Sequence, residues 1–206
     1  MGAVSPVPFA DAEFMNKVKM RIILPTLSGL KQENIPYRGF IFLGLINVAG
    51  DPYVIEYNAR MGDPETEAVI PRIESDLVEI LMACAKGELK NKSINFSPDF
   101  AIAVMMVSGG YPGKYAKGMV ISGSQPSDSL VFHAGTKTSG KEIVTDGGRV
   151  IAVTGKGATL QQARANAYQA MGSISFDQAY FRKDIGVDLL QLRKPSTSER
   201  DVLRKN

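Results

Sequence analysis

In Tyr53-Val54-Ile55-Glu56-Tyr57-Asn58-Ala59-Arg60-Met61-Gly62-Asp63-Pro64-Glu65-Thr66-Glu67 a strand runs into a charged turn and then a helix start. Tyr53, Ile55 and Tyr57 alternate with Val54, Glu56 and Asn58, the period-2 pattern of a pleated strand. Glu56 and Asn58 are two apart, so their side chains leave the same face within about 7 Å of each other. A carboxylate and an amide carbonyl are hard oxygen ligands. Mg²⁺ held with a nucleotide phosphate takes one or two of these, with water and phosphate completing its shell. Arg60 to Asp63 is a polar turn. Asp63 is placed to cap a helix with Pro64 at its first position, and a helix N-terminus beside a ligating strand suits an anionic substrate. Taken singly, Glu-x-Asn also describes a solvated strand face, and Asp-Pro-Glu is a common helix opening.

Upstream, Phe40 to Val48 is a nearly continuous apolar run, which predicts a central buried strand. Ala49-Gly50-Asp51-Pro52 is turn chemistry, so the two strands form a hairpin that presents Glu56 and Asn58. Before it, Met1 to Pro8 is extended and proline-rich. Asp11 caps a predicted helix through about Ile23, with Phe14, Val18 and Ile22 near one face. Pro25 is expected to interrupt it, and a second short helix through Leu27 and Leu30 ends near Asn34. Downstream, a short helical piece meets Pro71. Ser75 is placed to cap a helix from Asp76 to Lys86, with Leu77, Ile80, Leu81 and Cys84 as its buried stripe and Gly87 as its left-handed cap. Cys84 on that stripe reads as core. Residues 88–98 are polar and mark a boundary.

From Phe100 the period changes. Strands are predicted at Ala101 to Val107, Met119 to Ser122, Val131 to Lys137, Glu142 to Asp146 and Arg149 to Thr154. Short strands with tight turns argue a small β-rich barrel or sandwich. One helix follows, with Thr159 and Gln162 as a capping box and Leu160, Ala163, Ala167, Ala170 and Met171 inward. Gly109-Gly110 and Gly155-Lys156-Gly157 lack the spacing of a phosphate loop and read as turns. His133 reads as an ordinary strand histidine and Arg182-Lys183 as a surface doublet. Ser196 to Asn206 is a polar tail expected to fray.

Composition narrows the function classes. A net charge of +3 is too mild to argue for nucleic acid. The single cysteine forbids an intramolecular disulfide and fits a reducing compartment, so a cytoplasmic location is expected. The single histidine excludes a multi-histidine metal site. No apolar run approaches the ~20 residues that span a bilayer. The N-terminus has neither the basic region nor the apolar core of a signal peptide.

The run Val54-Ile55-Glu56-Tyr57-Asn58 followed by Arg60 to Glu67 resembles the signature of phosphoribosylamine–glycine ligases, ATP-grasp enzymes of purine biosynthesis. Other segments are similar to that family in the family's order. They include Met1 to Pro6, Tyr37 to Leu45, Ser75 to Glu79, Gly109 to Gly113, Phe132 to Thr136, Gly147 to Val150 and Phe181 to Gly186. The resemblance covers residues 1–193 and corresponds to the C-terminal part of such an enzyme. It implies an α+β fold: residues 1–96 as the second half of an ATP-grasp domain, 97–193 as a small C-terminal β-rich barrel or sandwich with one packed helix, and 194–206 as a polar tail.

The resemblance also implies a reaction. Glycine would be joined to 5-phosphoribosylamine at the expense of ATP, through an acyl phosphate that the amine then attacks. Glu56 and Asn58 would bind the Mg²⁺ or Mn²⁺ that bridges the ATP phosphates. Arg60 would stabilise the transferring phosphoryl group or the glycine carboxylate. Gly62 would let the backbone approach the substrate. Asp63 would either pair with the glycine ammonium or cap the helix. Gly2, Ala3 and Ser5 would form a loop near substrate or phosphate, with Arg182 and Lys183 as weaker candidates for the ribose phosphate. The family's N-terminal domain and the first half of its ATP-grasp domain have no counterpart in these residues, so little activity is expected without that N-terminal portion as a partner. The alternatives are another ATP-grasp carboxylate–amine ligase, against which Arg60 to Glu67 argues, and a non-catalytic interaction module.

Overall fold

The computed structural model describes residues 1–123 and 129–192; the predicted tail, 194–206, lies outside them. The elements are, in order, β1 (Gly2–Ser5), α1 (Ala12–Val18), α2 (Leu24–Gln32), β2 (Phe42–Val48), β3 (Asp51–Asn58), α3 (Glu65–Val69) and α4 (Leu77–Lys86). There follow β4 (Phe100–Val107), β5 (Ser122–Gly123), β6 (Ser129–His133), β7 (Thr136–Ser139), β8 (Glu142–Thr145), β9 (Arg149–Gly157), α5 (Leu160–Met171), β10 (Ile174–Ser175) and α6 (Val187–Gln191). The architecture is α+β, as the sequence implied. No helix among the described residues is long and apolar enough to cross a membrane.

The main sheet has the order β1-β4-β9-β6, antiparallel throughout and, among the described residues, open at both edges. Among the described residues there are also two-stranded ladders β2-β3, β5-β10 and β7-β8, with isolated bridges Ile73–Phe96, Val107–Tyr180 and Val120–Val144. β1 pairs with β4, Gly2 opposite Val104 and Ser5 opposite Ala101, so a segment from before the polar stretch 88–98 joins the sheet that follows it. β4 is buried on both faces, which is why Ala101 to Met106 reads as an unbroken apolar run. Ile102, Val104 and Met106 meet α5, whose Leu160, Ala163, Ala167, Ala170 and Met171 are all buried as the periodicity predicts. The opposite face, with Ala103 and Thr154 in register, lies toward α3 and its buried Ala68. Thr159 caps α5 by accepting from the Gln162 amide at 3.1 Å.

Several local expectations are corrected. Pro25 does not interrupt the helix that starts at Asp11. The chain stays helical through a π-turn at Lys19–Ile23, in which the Leu24 amide reaches back to the Lys19 carbonyl. The widened turn relieves the clash between a proline ring and the carbonyl four residues back, and Thr26 Oγ1 satisfies the Ile22 carbonyl at 2.7 Å. β2 is not a central strand: it pairs only with β3 among the described residues and is exposed over its last three residues. The cap of α4 is Asp76, which accepts from the Glu79 amide, because the Ser75 hydroxyl already accepts from the Asn95 amide. Its buried residues are Ile80 and Ala83, while Leu81 is exposed. Gly87 does supply the left-handed cap, at φ 77°. Gly155 and Gly157 lie inside β9 rather than in a turn, where their bare backbone lets α5 pack directly on the strand.

The β2–β3 hairpin forms as its turn chemistry predicts. Val48 faces Asp51 across a two-residue turn, Ala49-Gly50, with φ of 51° and 86°. Positive φ at both central residues matches the right-handed twist of the flanking strands. Lys17 of α1 donates to the Gly50 carbonyl at 2.9 Å and pairs with Asp51 at 3.0 Å; Arg21 pairs with the same carboxylate. The Lys17 hydrogen bond, with help from Arg21, holds the Asp51 carboxyl below its ordinary range. The turn end of the hairpin is thus fixed to the helix, and the other end carries Glu56 and Asn58.

Candidate functional site

Glu56 and Asn58 share one face of β3, as the period-2 pattern requires, and Asn58 Nδ2 donates to Glu56 Oε1 at 2.9 Å. Glu56 lies opposite Gly44, beside a register shift between Gly44 and Leu45. A Cβ at position 44 would come within 2.8 Å of the Glu56 Cγ, so the glycine is what lets that side chain lie across β2. Glu56 and Glu65 both line a cleft of 430 Å³ whose walls include Phe9, Phe14, Phe42 and Leu45. Apolar walls weaken the competition of water for charges inside them.

The donor set fits a divalent cation that arrives with a phosphate. Two hard oxygens stand together once the Asn58 amide turns its oxygen, in place of the nitrogen that donates to Glu56, toward the cation. Among the described residues no group of three or more His, Cys, Asp or Glu could hold a metal alone. Two such oxygens with the rest of the shell from phosphate and water is the coordination habit of Mg²⁺.

The turn after β3 departs from the predicted cap. The residue at the N-cap of α3 is Pro64, without a side-chain cap, and α3 is only five residues long, too short for a directed macrodipole. Asp63 is engaged elsewhere: its carboxylate lies 3.3 Å from Arg149, whose guanidinium also donates to the Asp63 carbonyl at 3.2 Å. Gly62 is buried, and a Cβ there would strike the Glu65 carboxylate and lie 2.9 Å from the Phe42 ring. Arg60 is exposed and donates to the neighbouring Met61 carbonyl at 3.0 Å. Gly2, Ala3 and Ser5 lie in strand β1 rather than in a loop. Ser5 Oγ accepts from Arg72, which also donates to the Ser97 and Asp99 carbonyls. Val7 and Phe9, just beyond, reach the cleft that Glu56 lines. Arg182 is paired through two nitrogens with Asp184, at 2.9 and 2.6 Å. That pairing holds the Asp184 carboxyl down to about 2 and occupies the guanidinium expected to meet a phosphate.

Sequence reasoning did not single out Gly44, Glu65 or Arg149. A glycine inside the apolar run of β2 was the available signal for the first. Glu65 was visible only as a helix opener, and Arg149 only as the residue after Gly147-Gly148.

Glu67 is the remaining acid of this segment. One carboxylate oxygen is buried without a hydrogen-bond partner among the described residues. Burial, then the nearby Asp63 and Glu65, push its carboxyl above the ordinary range. The fold therefore disfavours the ionised form, and the penalty is present above the folded pKa and absent below the unfolded one. Glu67→Gln is expected to raise Tm at pH 7–8 by about 1–2 °C, a gain that vanishes in acid. A pH series of thermal melts checks it; a Tm lowered at neutral pH would show that the charge is needed there.

The comparisons with known proteins fall on the same segments. The model described as the phosphoribosylglycinamide synthetase ATP-grasp (A) domain matches residues 1–66, and that of the phosphoribosylglycinamide synthetase C domain matches residues 101–188. A phosphoribosylamine–glycine ligase of Vibrio cholerae is 44% identical over 190 residues, covering 90% of this chain and 44% of the relative. One from Escherichia coli is 44% identical over 191 residues with the same coverage. The crystal structure of the Thermotoga maritima phosphoribosylamine–glycine ligase superposes with a TM-score of 0.80 at 34% identity, covering 89% of this chain and 46% of that one. The chain thus spans less than half the length of these relatives.

Proposed function

This chain belongs to the phosphoribosylglycinamide synthetase family, and from that premise we propose that it carries the metal-binding side of an ATP-dependent ligase joining glycine to 5-phosphoribosylamine. The observation that carries the reading is the Glu56–Asn58 pair, in contact at 2.9 Å on a hairpin whose Glu56 opens into an apolar-walled cleft. Glu56 and Asn58 would be the residues to hold Mg²⁺ or Mn²⁺, which would supply Lewis-acid charge for phosphoryl transfer. The exposed Arg60 reaches the transferring phosphoryl group or the glycine carboxylate with its planar fork. Asp63, although paired with Arg149, stays exposed enough for its carboxylate to meet the glycine ammonium. Gly62 keeps the turn low enough for Phe42 and the Glu65 carboxylate to close over it.

The test is ADP release in Mg²⁺, glycine and phosphoribosylamine. It is run on this chain alone and on the chain mixed with the N-terminal portion of a full-length relative. Turnover in the mixture that depends on both substrates is the expected result. ADP release indifferent to glycine and phosphoribosylamine would replace the ligase reading with that of another nucleotide-using enzyme of the same fold.

A further inference from the structure

We infer that Arg149 is a positioning residue, which fixes the turn between the ligand-bearing strand β3 and helix α3 and so aims Arg60. Its effect on turnover rests on the ligase reading above; the restraint on the chain does not.

Arg149 reaches across 86 positions of sequence to a single residue. One guanidinium nitrogen donates to the Asp63 carbonyl at 3.2 Å, and the other lies 3.3 Å from the Asp63 carboxylate. Holding the backbone and the side chain of one residue together sets both the peptide orientation and the rotamer. A lysine, a point charge on a flexible stem, fixes only one of them. The pair is partly open to solvent, with side-chain exposures of 34% and 46%, so it adds little to global stability. Its value is geometric.

The platform under Arg149 is itself held. Arg149 opens β9 opposite Val107, at a register shift between Met106 and Val107. The two glycines before it are tied to Ser108: the Ser108 amide donates to the Gly148 carbonyl at 2.8 Å, and its hydroxyl to the Gly147 carbonyl at 2.9 Å. A Cβ on Gly148 would run into the Tyr111 ring, so the ring lies directly on the backbone. β9 grips the same segment a second time, Thr154 Oγ1 donating to the Glu67 carbonyl at 2.8 Å. Between the two grips, the Thr66 amide closes on the Gly62 carbonyl at 3.0 Å. The turn is anchored by the hairpin at one end and by β9 at the other, and Arg60 stands between them. A displacement of about 1 Å at a reacting group lowers rate by up to ~10²-fold.

The test uses Arg149→Met and Arg149→Lys in the full chain, read by hydrogen exchange at the Thr66 amide and by turnover of the mixture with the N-terminal portion. Arg149→Met is expected to lose protection at Thr66 and its neighbours while its melting temperature moves by only a few degrees. Its kcat falls about 10–100-fold with KM for ATP within about twofold, the signature of lost orientation rather than lost binding. Arg149→Lys keeps the charge and recovers part of kcat. If Arg149→Met melts, the lysine variant decides, because it retains the ion pair and loses the fork. Unchanged Thr66 protection, or lost protection with full kcat, overturns the role of Arg149. A wild-type mixture without turnover overturns the ligase reading instead, and the exchange result still decides the restraint.

Discussion

Glu56→Ala is expected to reduce turnover of the ligase mixture by on the order of 10²–10³-fold, the range seen when one preorganised stabiliser of a charged transition state is removed. In the proposed site Glu56 would supply the only full negative charge of the pair, and without it a neutral amide oxygen would be left to hold the cation. Asn58→Ala removes a neutral ligand and is expected to lose less, about tenfold. Glu56→Gln keeps the oxygen but not the charge and should fall between them. The fold gives these variants little to disturb: Glu56 is exposed, on a two-stranded ladder, and opposite a glycine. Melting temperatures within a few degrees of wild type are therefore expected alongside the loss of rate. Isothermal titration with Mn²⁺ and ADP separates the two causes, because a metal ligand loses Mn²⁺-dependent ADP affinity while a fold defect loses cooperativity of unfolding. Turnover of Glu56→Ala within threefold of wild type would remove the pair from the reaction.

That Glu56 and Asn58 share a face was legible in the sequence because strand alternation is a local rule. The Ala49-Gly50 turn and the Thr159 cap were legible for the same reason: their hydrogen bonds close within a few residues. The stripe of α5 was legible because one face of that helix meets one sheet. Failures came where a distant partner outbid a local preference. Asp63 has the chemistry of a cap, but Arg149 lies 86 residues away and takes its carboxylate. Ser75 was a sound cap until the Asn95 amide claimed its hydroxyl. The apolar run of β2 resembles a buried strand, but burial depends on a second neighbour, and β2 has only β3 among the described residues. β1 illustrates the same limit. Nothing local in Gly2–Ser5 announces that its ladder partner begins near residue 101.

Gly155 is where such a long-range contact should show most in stability. It lies in β9 opposite Ile102, under α5. A Cβ there would collide with the Ala167 amide nitrogen and the Ala163 carbonyl oxygen and lie 2.8 Å from the Ala167 Cα. All three are backbone atoms, so no side chain can swing aside; the helix itself must lift. That lift opens the face on which Leu160, Ala163, Ala167, Ala170 and Met171 are buried. Gly155→Ala is expected to destabilise the chain by about 2–4 kcal/mol, a drop in Tm of roughly 6–12 °C. Gly29→Ala is the control. The added methyl meets nothing within 4 Å in the middle of α2, and replacing a helical glycine should stabilise by about 0.5–1 kcal/mol. Both changes remove the same backbone freedom from the unfolded chain, so their difference isolates the contact between strand and helix. If the two variants melt together, α5 does not rest on β9 at backbone distance. If they split as expected while Gly155→Ala keeps its Mn²⁺-dependent ADP affinity below its lowered Tm, the ligand hairpin is energetically separate from the sheet that β9 anchors.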